Sequence, residues 1–147
     1  MQFSTKTRYG ARALVELACA WQDRTVSVRE MALGQRISPK YLGQIMSALK
    51  AAGLIKAVRG VHGGYELTRA PSEITLGQIF HVLEGSAAPV DCVDKPGSCQ
   101  LEPVCATRDS WAQVKAAIEG VLDATTLQDL VRRKKSKAAA AGLTYQI

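Results

Sequence analysis

The sequence predicts a mainly α fold with one small β-hairpin and one long helix near its C-terminal end. Three observations predict it. Two capped helical segments follow each other closely between Ser27 and Gly53, the layout of a helix-turn-helix. Two strand-like runs, residues 54–58 and 65–68, flank a glycine-rich tip, the pattern of a hairpin. A later segment, residues 107–122, carries an apolar stripe that so small a domain cannot cover by itself.

Composition sets the bounds. The chain has 147 residues, of which 47% are hydrophobic, so it can bury a core of its own. It holds no run of eighteen apolar residues, and its opening MQFSTKTRYG lacks the apolar centre of a signal peptide. A cytoplasmic protein with no membrane partner and with reduced thiols is expected. The net charge is +6 and is unevenly spread. Residues 1–75 hold eleven Lys and Arg against five Asp and Glu, whereas residues 76–130 hold three against eight. A basic first half beside an acidic middle points to a polyanion meeting the first half.

The elements follow in order. Ser4 or Thr5 caps a first helix to about Trp21, with Tyr9, Ala13, Leu14, Leu17, Ala18 and Trp21 on its apolar face. Cys19 lies beside that face and reads as a small, partly buried apolar residue. Ser27 and Glu30 have capping-box spacing and start a short helix that turns Val28, Met31 and Ala32 inward and stops between Gly34 and Arg36. Ser38 caps the next helix, with Pro39 at the first helical position and Leu42, Ile45, Met46 and Leu49 buried. Gly53 ends it. Ser38, Lys40, Tyr41 and Gln44 stand at its N-terminal end, where side chains can bond phosphates or base edges. The hairpin tip that follows, Arg59, Gly60, Val61, His62, Gly63 and Gly64, reads as a wing. Its glycines let backbone approach a duplex, and an arginine at its base can enter a minor groove. His62 can touch DNA or simply lie in solvent.

Thr75 to Gln78 is another capping box, and the helix it opens runs to about Glu84 before Gly85 stops it. His81 reads as filler on this helix. Then comes PVDCVDKPGSCQLEPVC, residues 89–105, expected to be an irregular loop. It holds Cys92, Cys99 and Cys105, separated by six and five residues. That is not the paired spacing of a zinc ribbon. Three readings of these thiols are open: an iron–sulfur cluster, bare or redox-active thiols, and zinc. In the long helix Trp111, Val114, Ile118, Val121 and Leu122 form the stripe, and a second copy of the chain is the simplest partner for it. Thr125 or Thr126 caps a short last helix with Leu127, Leu130 and Val131 inward, and the basic run RRKKSK begins a frayed tail.

These residues resemble the Rrf-type family of bacterial winged-helix regulators, which includes IscR, NsrR, RirA and CymR. The matching pieces are STKTRYGARAL at the start, SVREMA with ISPKYLGQIM, the LIKAVRG wing with its GGY, ITLGQIFHVLEG, the cysteine trio, and TLQDL. The resemblance covers Met1 to about Val131. It implies a winged helix-turn-helix DNA-binding domain over residues 1–85, a cysteine-rich cluster-binding loop over 86–106, and a dimerisation helix with a short C-terminal helix over 107–131. Residues 132–147 are left as a basic, disordered tail. It implies a homodimer on double-stranded DNA, at a palindromic operator, and no enzyme. Ser38, Lys40, Tyr41 and Gln44 fall on the recognition helix, and Arg59, with Gly60, His62 and Gly63 beside it, falls on the wing's DNA contact. Cys92, Cys99 and Cys105 fall on the ligands of an iron–sulfur cluster, 2Fe–2S rather than 4Fe–4S. The implied function is a repressor that senses iron, redox state, nitric oxide or cluster supply. The alternative is a cluster-free, CymR-like regulator of cysteine and sulfur metabolism.

The chain departs from the pattern in places. Gly43 stands where IscR-like members carry an acid, and Arg36 where a turn glycine is common. Arg108 and Arg8 stand where relatives place a fourth cluster ligand. Asp91, Asp94, Glu102, an outside thiol or water are the remaining candidates for that ligand.

Overall fold

The computed structural model describes residues 1–142. Helix α1 spans Thr5–Cys19, α2 Val28–Gln35 and α3 Pro39–Ala51. Strands β1, Ile55–Val58, and β2, Gly64–Leu67, form an antiparallel hairpin in which Ile55 faces Leu67 and Val58 faces Gly64. Then come α4, Leu76–Leu83, a one-turn α5, Asp91–Asp94, α6, Arg108–Ala124, and α7, Leu127–Ala140. A bridge from Val26 to Tyr65 adds a third edge to the hairpin.

Local chemistry sets the helix starts. Ser4, Ser27, Ser38, Thr75 and Thr126 each accept a backbone N–H of the following turn through the side-chain oxygen, satisfying donors that the helix leaves unpaired. At Thr75 and Thr126 the capping box is complete, with Gln78 and Asp129 bonded back to the cap nitrogen. Helix α1 stops at Cys19 rather than Trp21, because the chain turns at Ala20 and passes through a left-handed Gln22, φ 63°.

One core joins these elements. Leu14 of α1, Met31 of α2, Leu42, Ile45, Met46 and Leu49 of α3, Ile55 and Leu67 of the hairpin, and Ile79 of α4 are all buried. Gly10 allows α1 to close on α3 and α4, since a methyl group there would meet Leu83 and Ile45. A second, smaller cluster of Phe80, Ala87 and Leu122 seats α6 on α4.

Three expectations change. The cysteine segment is not wholly irregular: α5 carries Cys92, and a 3-10 turn, Glu102–Val104, precedes Cys105. Leu122, expected on the face awaiting a second copy, is buried against its own chain, while Trp111, Val114 and Val121 stay exposed. The last helix does not end near Val131. It continues through the basic run to Ala140, because Val131 and Ala138 are buried and Lys134 reaches Glu16 of α1 at 2.9 Å. Residues 132–140 are therefore part of the folded body, and the rest of the expected tail, residues 143–147, lies outside the described residues.

The turn between α2 and α3 carries a cost. Arg36 closes α2 in the left-handed conformation, φ 57° and ψ 44°. That conformation costs a residue with a side chain roughly 1–2 kcal/mol, of which glycine's extra chain entropy gives back roughly 0.5–1 kcal/mol. Arg36→Gly is expected to stabilise the protein by about 0.5–1 kcal/mol, raising the midpoint of thermal unfolding by about 1–4 °C. A lower midpoint in calorimetry would contradict this account of the turn.

Candidate nucleic-acid interface and cysteine loop

The start of α3 is the better-built part of the first site. Ser38 Oγ accepts the Tyr41 N–H at 3.0 Å, so its oxygen is committed to the cap while its hydroxyl hydrogen stays available. Lys40 and Gln44 are exposed. Tyr41 is half-buried, and its hydroxyl lies 3.1 Å from Thr5 Oγ1 of α1. Its ring meets the Tyr9 ring edge-on at 6.1 Å. Gly43 adds no side chain to this surface, and Ser47 Oγ donates back to the Gly43 carbonyl at 3.0 Å.

The hairpin tip projects beyond β1 and β2. Arg59, Gly60, Val61 and His62 are exposed, and Gly63 is half-buried. Gly60 has φ 121°, and the Gly63 N–H closes the tip on the Gly60 carbonyl at 3.0 Å. A side chain at Gly63 would run into the Val58 and Gly60 carbonyls, so the tight tip needs glycine there. Thr25 Oγ1 donates to the His62 carbonyl at 2.6 Å and holds the tip to the segment before α2. His62 thus contributes its backbone to the tip's anchorage and leaves its ring in solvent. His81 is exposed on α4, with Nδ1 3.0 Å from the Gly85 carbonyl.

The loop between α4 and α6 has a different character. Cys92 and Cys105 are half-buried and Cys99 is exposed, all as free thiols. Among the described residues no three of His, Cys, Asp or Glu stand close enough to share a metal ion. The donor set suits iron, since three soft sulfurs lie on one short segment. The thiol of Cys105 is also held below its ordinary pKa, chiefly by the Thr107 hydroxyl at 3.4 Å, then by the Thr107 and Arg108 backbones. The donor chemistry fits a cluster, which would require the loop to bring the three sulfurs together.

Two ion pairs oppose that movement. Arg108 Nη2 donates to the Cys92 carbonyl at 3.1 Å and pairs with Glu102 at 3.2 Å. Glu102 also accepts the Gly97 N–H at 2.6 Å. Lys115 of α6 pairs with Asp94 at 2.8 Å, and Ser86 donates to the same carboxylate. Lys115 and then Ser86 hold the Asp94 carboxyl below the usual range. Two of the carboxylates considered as a fourth ligand are thus already engaged, and Asp91 is exposed. Residue type and spacing do not reveal Arg108 in this role. Its guanidinium Nε is buried without a hydrogen-bond partner, while the side chain as a whole stays partly exposed.

Comparison with known proteins agrees with this layout. The profile of a family described as "Rrf2: Iron-dependent Transcriptional regulator" matches residues 3–133. The HTH-type transcriptional regulator CymR of Bacillus subtilis is 41% identical over 130 residues, covering 88% of this chain and 89% of that protein. The HTH-type transcriptional regulator IscR of Aliivibrio salmonicida is 34% identical over 131 residues, covering 89% and 77%. Among solved structures, CymR, described as the global cysteine regulator of B. subtilis, superposes with a TM-score of 0.77 at 37% identity, covering 90% of this chain and 98% of that one. T. potens IscR superposes with a TM-score of 0.75 at 36% identity, covering 100% and 94%.

The Arg108 tie has a measurable consequence. Arg108→Ala removes a charge-assisted hydrogen bond worth about 1.4 kcal/mol and leaves Glu102 without its cation. Hydrogen exchange at Gly97, whose N–H rests on Glu102, is expected to quicken about tenfold. Unchanged protection across residues 92–105 would show that the loop is held by something else.

Proposed function

Because this chain belongs to the Rrf2 family of transcriptional regulators, which are not enzymes, we propose that it is a dimeric repressor of a palindromic operator, controlled by an iron–sulfur cluster on Cys92, Cys99 and Cys105. The observation that carries the proposal is the position of the three thiols. They occupy one segment between α4, which packs on α1 and α3, and α6, whose Trp111, Val114 and Val121 stay uncovered. Rearranging that segment bears on both the DNA-reading unit and the face that would meet a second copy.

The roles divide as follows. Lys40, Tyr41 and Gln44 face the major groove, with Ser38 capping the helix that presents them. Arg59 reaches a minor groove from the wing, where Gly60 and Gly63 permit close approach and His62 is held by its carbonyl. Trp111, Val114 and Val121 supply the contact with a second copy. A cluster, 2Fe–2S rather than 4Fe–4S, would add a redox- and oxygen-sensitive link between the three sulfurs when bound. On the protein's side, Arg108 and Lys115 set the cost of closing the loop around it, since Glu102, Asp94 and the Cys92 carbonyl are all theirs. The fourth ligand is then an outside thiol, water, or a carboxylate released from one of these pairs. No helix among the described residues is long and apolar enough to cross a membrane.

A second reading has its own support. CymR of Bacillus subtilis matches at least as well as the IscR relatives named above, by identity and by superposition. In that reading the loop stays in its ion-paired form, and the protein regulates cysteine or sulfur metabolism through a partner protein or thiol oxidation.

Anaerobic purification separates the two. The cluster reading expects a coloured protein with iron and acid-labile sulfide, both lost in the variant with Cys92, Cys99 and Cys105 all changed to alanine. That variant is also expected to lose any response of DNA binding to oxygen or chelator. A colourless, iron-free wild type whose DNA binding matches that of the triple variant would give the place to the second reading.

A further inference from the structure

The hairpin tip carries one side chain that the fold does not use. Val61 is 98% exposed, more than any other large apolar residue among the described residues. A hairpin tip is ordinarily filled by glycine, asparagine, aspartate, serine or proline, and β-branched residues belong in strands. A valine that stands clear of the body adds no stability there. The stem below it is complete without it. Lys56 and Glu66 face each other across the strands and pair at 3.1 Å. Tyr65 and Val26 exchange backbone bonds at 2.8 and 3.0 Å, which fixes the foot of the hairpin to the segment before α2.

The tip is held on both sides of Val61. Gly60 before it turns at φ 121°, and the Gly63 N–H donates to the Gly60 carbonyl at 3.0 Å. The His62 carbonyl after it accepts from Thr25 Oγ1 at 2.6 Å. Val61 therefore stands on an anchored turn. Two residues away, Arg59 is exposed, with no carboxylate in ion-pair range among the described residues. A cation and an apolar tip side by side suit a minor groove, whose walls are anionic and whose floor is the edge of the bases. That floor is not uniform. An A·T pair shows only acceptors there, and a G·C pair adds the guanine 2-amino donor. The amino group projects from the floor and blocks the methyls of a valine. Valine also has no atom to accept from it, so close approach strips the donor of water without replacement. Over an A·T pair the floor is clear.

We infer that Val61 discriminates between base pairs: it lies on the floor of the minor groove that the wing enters and selects A·T over G·C at the pair beneath it, through the guanine 2-amino group. The inference rests on the DNA-binding regulator proposed above and gives its wing a share in sequence choice. The two side chains divide the work. Arg59 brings charge, and with it salt dependence. Val61 brings selectivity through an apolar contact, which releases no counterion and leaves the salt dependence as it is.

The test starts from a randomised duplex library selected on the full wild-type chain. Each selected A·T pair is then replaced by G·C and by inosine·C, which keeps the major-groove face of G·C and lacks the 2-amino group. At one pair in each half-site, wild type is expected to bind G·C about tenfold more weakly than A·T, and inosine·C as tightly as A·T. Val61→Ser is smaller and has a hydroxyl that accepts from the amino group. It is expected to bring G·C at that pair within about twofold of A·T, with the dimer intact and the salt slope of binding unchanged. Val61→Ile is expected to keep the discrimination. A wild type that selects a duplex but shows no pair where inosine·C binds like A·T and G·C does not overturns the inference. So does a Val61→Ser protein that keeps the full penalty, which would assign it to Arg59 and the width of the groove. Loss of the dimer in Val61→Ser would place the tip between subunits and equally overturn it. A wild type that selects no duplex overturns the regulator reading itself, and this inference with it.

Discussion

The carboxylate of Glu84 is the point on which the arrangement turns. It follows the last residue of α4 and stands just before Gly85, where the chain leaves for the cysteine loop. Its Oε2 accepts from the Ser4 N–H at 3.1 Å, the Ser4 hydroxyl at 2.8 Å and the Thr7 hydroxyl at 2.5 Å. The Thr7 hydroxyl first, and then Ser4, hold this carboxyl below its ordinary pKa. A carboxylate at a helix N-terminus also meets the positive end of the helix dipole. One group therefore fixes the start of α1 to the end of α4. Its stabilising effect is present above the ordinary carboxylate range and is lost as pH falls through the depressed value. Thr5, in the turn so fixed, reaches Tyr41. The mouth of the cysteine loop and the start of α3 are thus two short steps apart, through side chains that each have a defined partner.

Charge is used differently at the two ends of this path. In the loop and α6, two of the three basic groups are consumed internally: Arg108 by Glu102 and the Cys92 carbonyl, Lys115 by Asp94 and Glu119. On α3 and the wing, Lys40 and Arg59 have no carboxylate in ion-pair range among the described residues. The uneven charge along the sequence thus becomes, in space, a surface of unneutralised cations and a separate region of neutralised pairs. An incoming polyanion gains from the first and meets little from the second.

Much of this was legible in the sequence because it is local. A cap is set within four residues, so Ser27, Ser38, Thr75 and Thr126 could be read directly, as could the turn at Gly53 and the hairpin around Arg59 to Gly64. The parts that were not legible depend on residues far apart. Helix α7 persists through five basic residues because Ala138 finds a buried place and Lys134 meets Glu16, a contact across 118 residues that no window can see. Leu122 lies on the same stripe as Val121, yet only the position of Phe80 decides that it turns inward. Arg108 reads as a missing ligand by position; its role as a tie becomes visible once Cys92 and Glu102 are folded on either side of it.

The choice between the two sensing chemistries turns on how the loop is held. CymR and IscR structures both superpose on this fold, so the scaffold is common to relatives with different names and cannot carry the difference. The body rests on buried Leu, Ile, Met and Phe, and removing one such side chain costs roughly 2–5 kcal/mol. The loop rests on two ion pairs, a few backbone bonds and little apolar burial: Leu101 and Val104 are 66% and 79% exposed. Pairs about a quarter exposed, as these are, contribute on the order of 1 kcal/mol each. Bonds from sulfur to a metal, or a partner surface covering Leu101 and Val104, can exceed that sum without disturbing the core. Under the proposed function a signal would enter at this loop, where rearrangement costs least, and would reach α1 and α3 through Glu84 and the buried body that α4 belongs to.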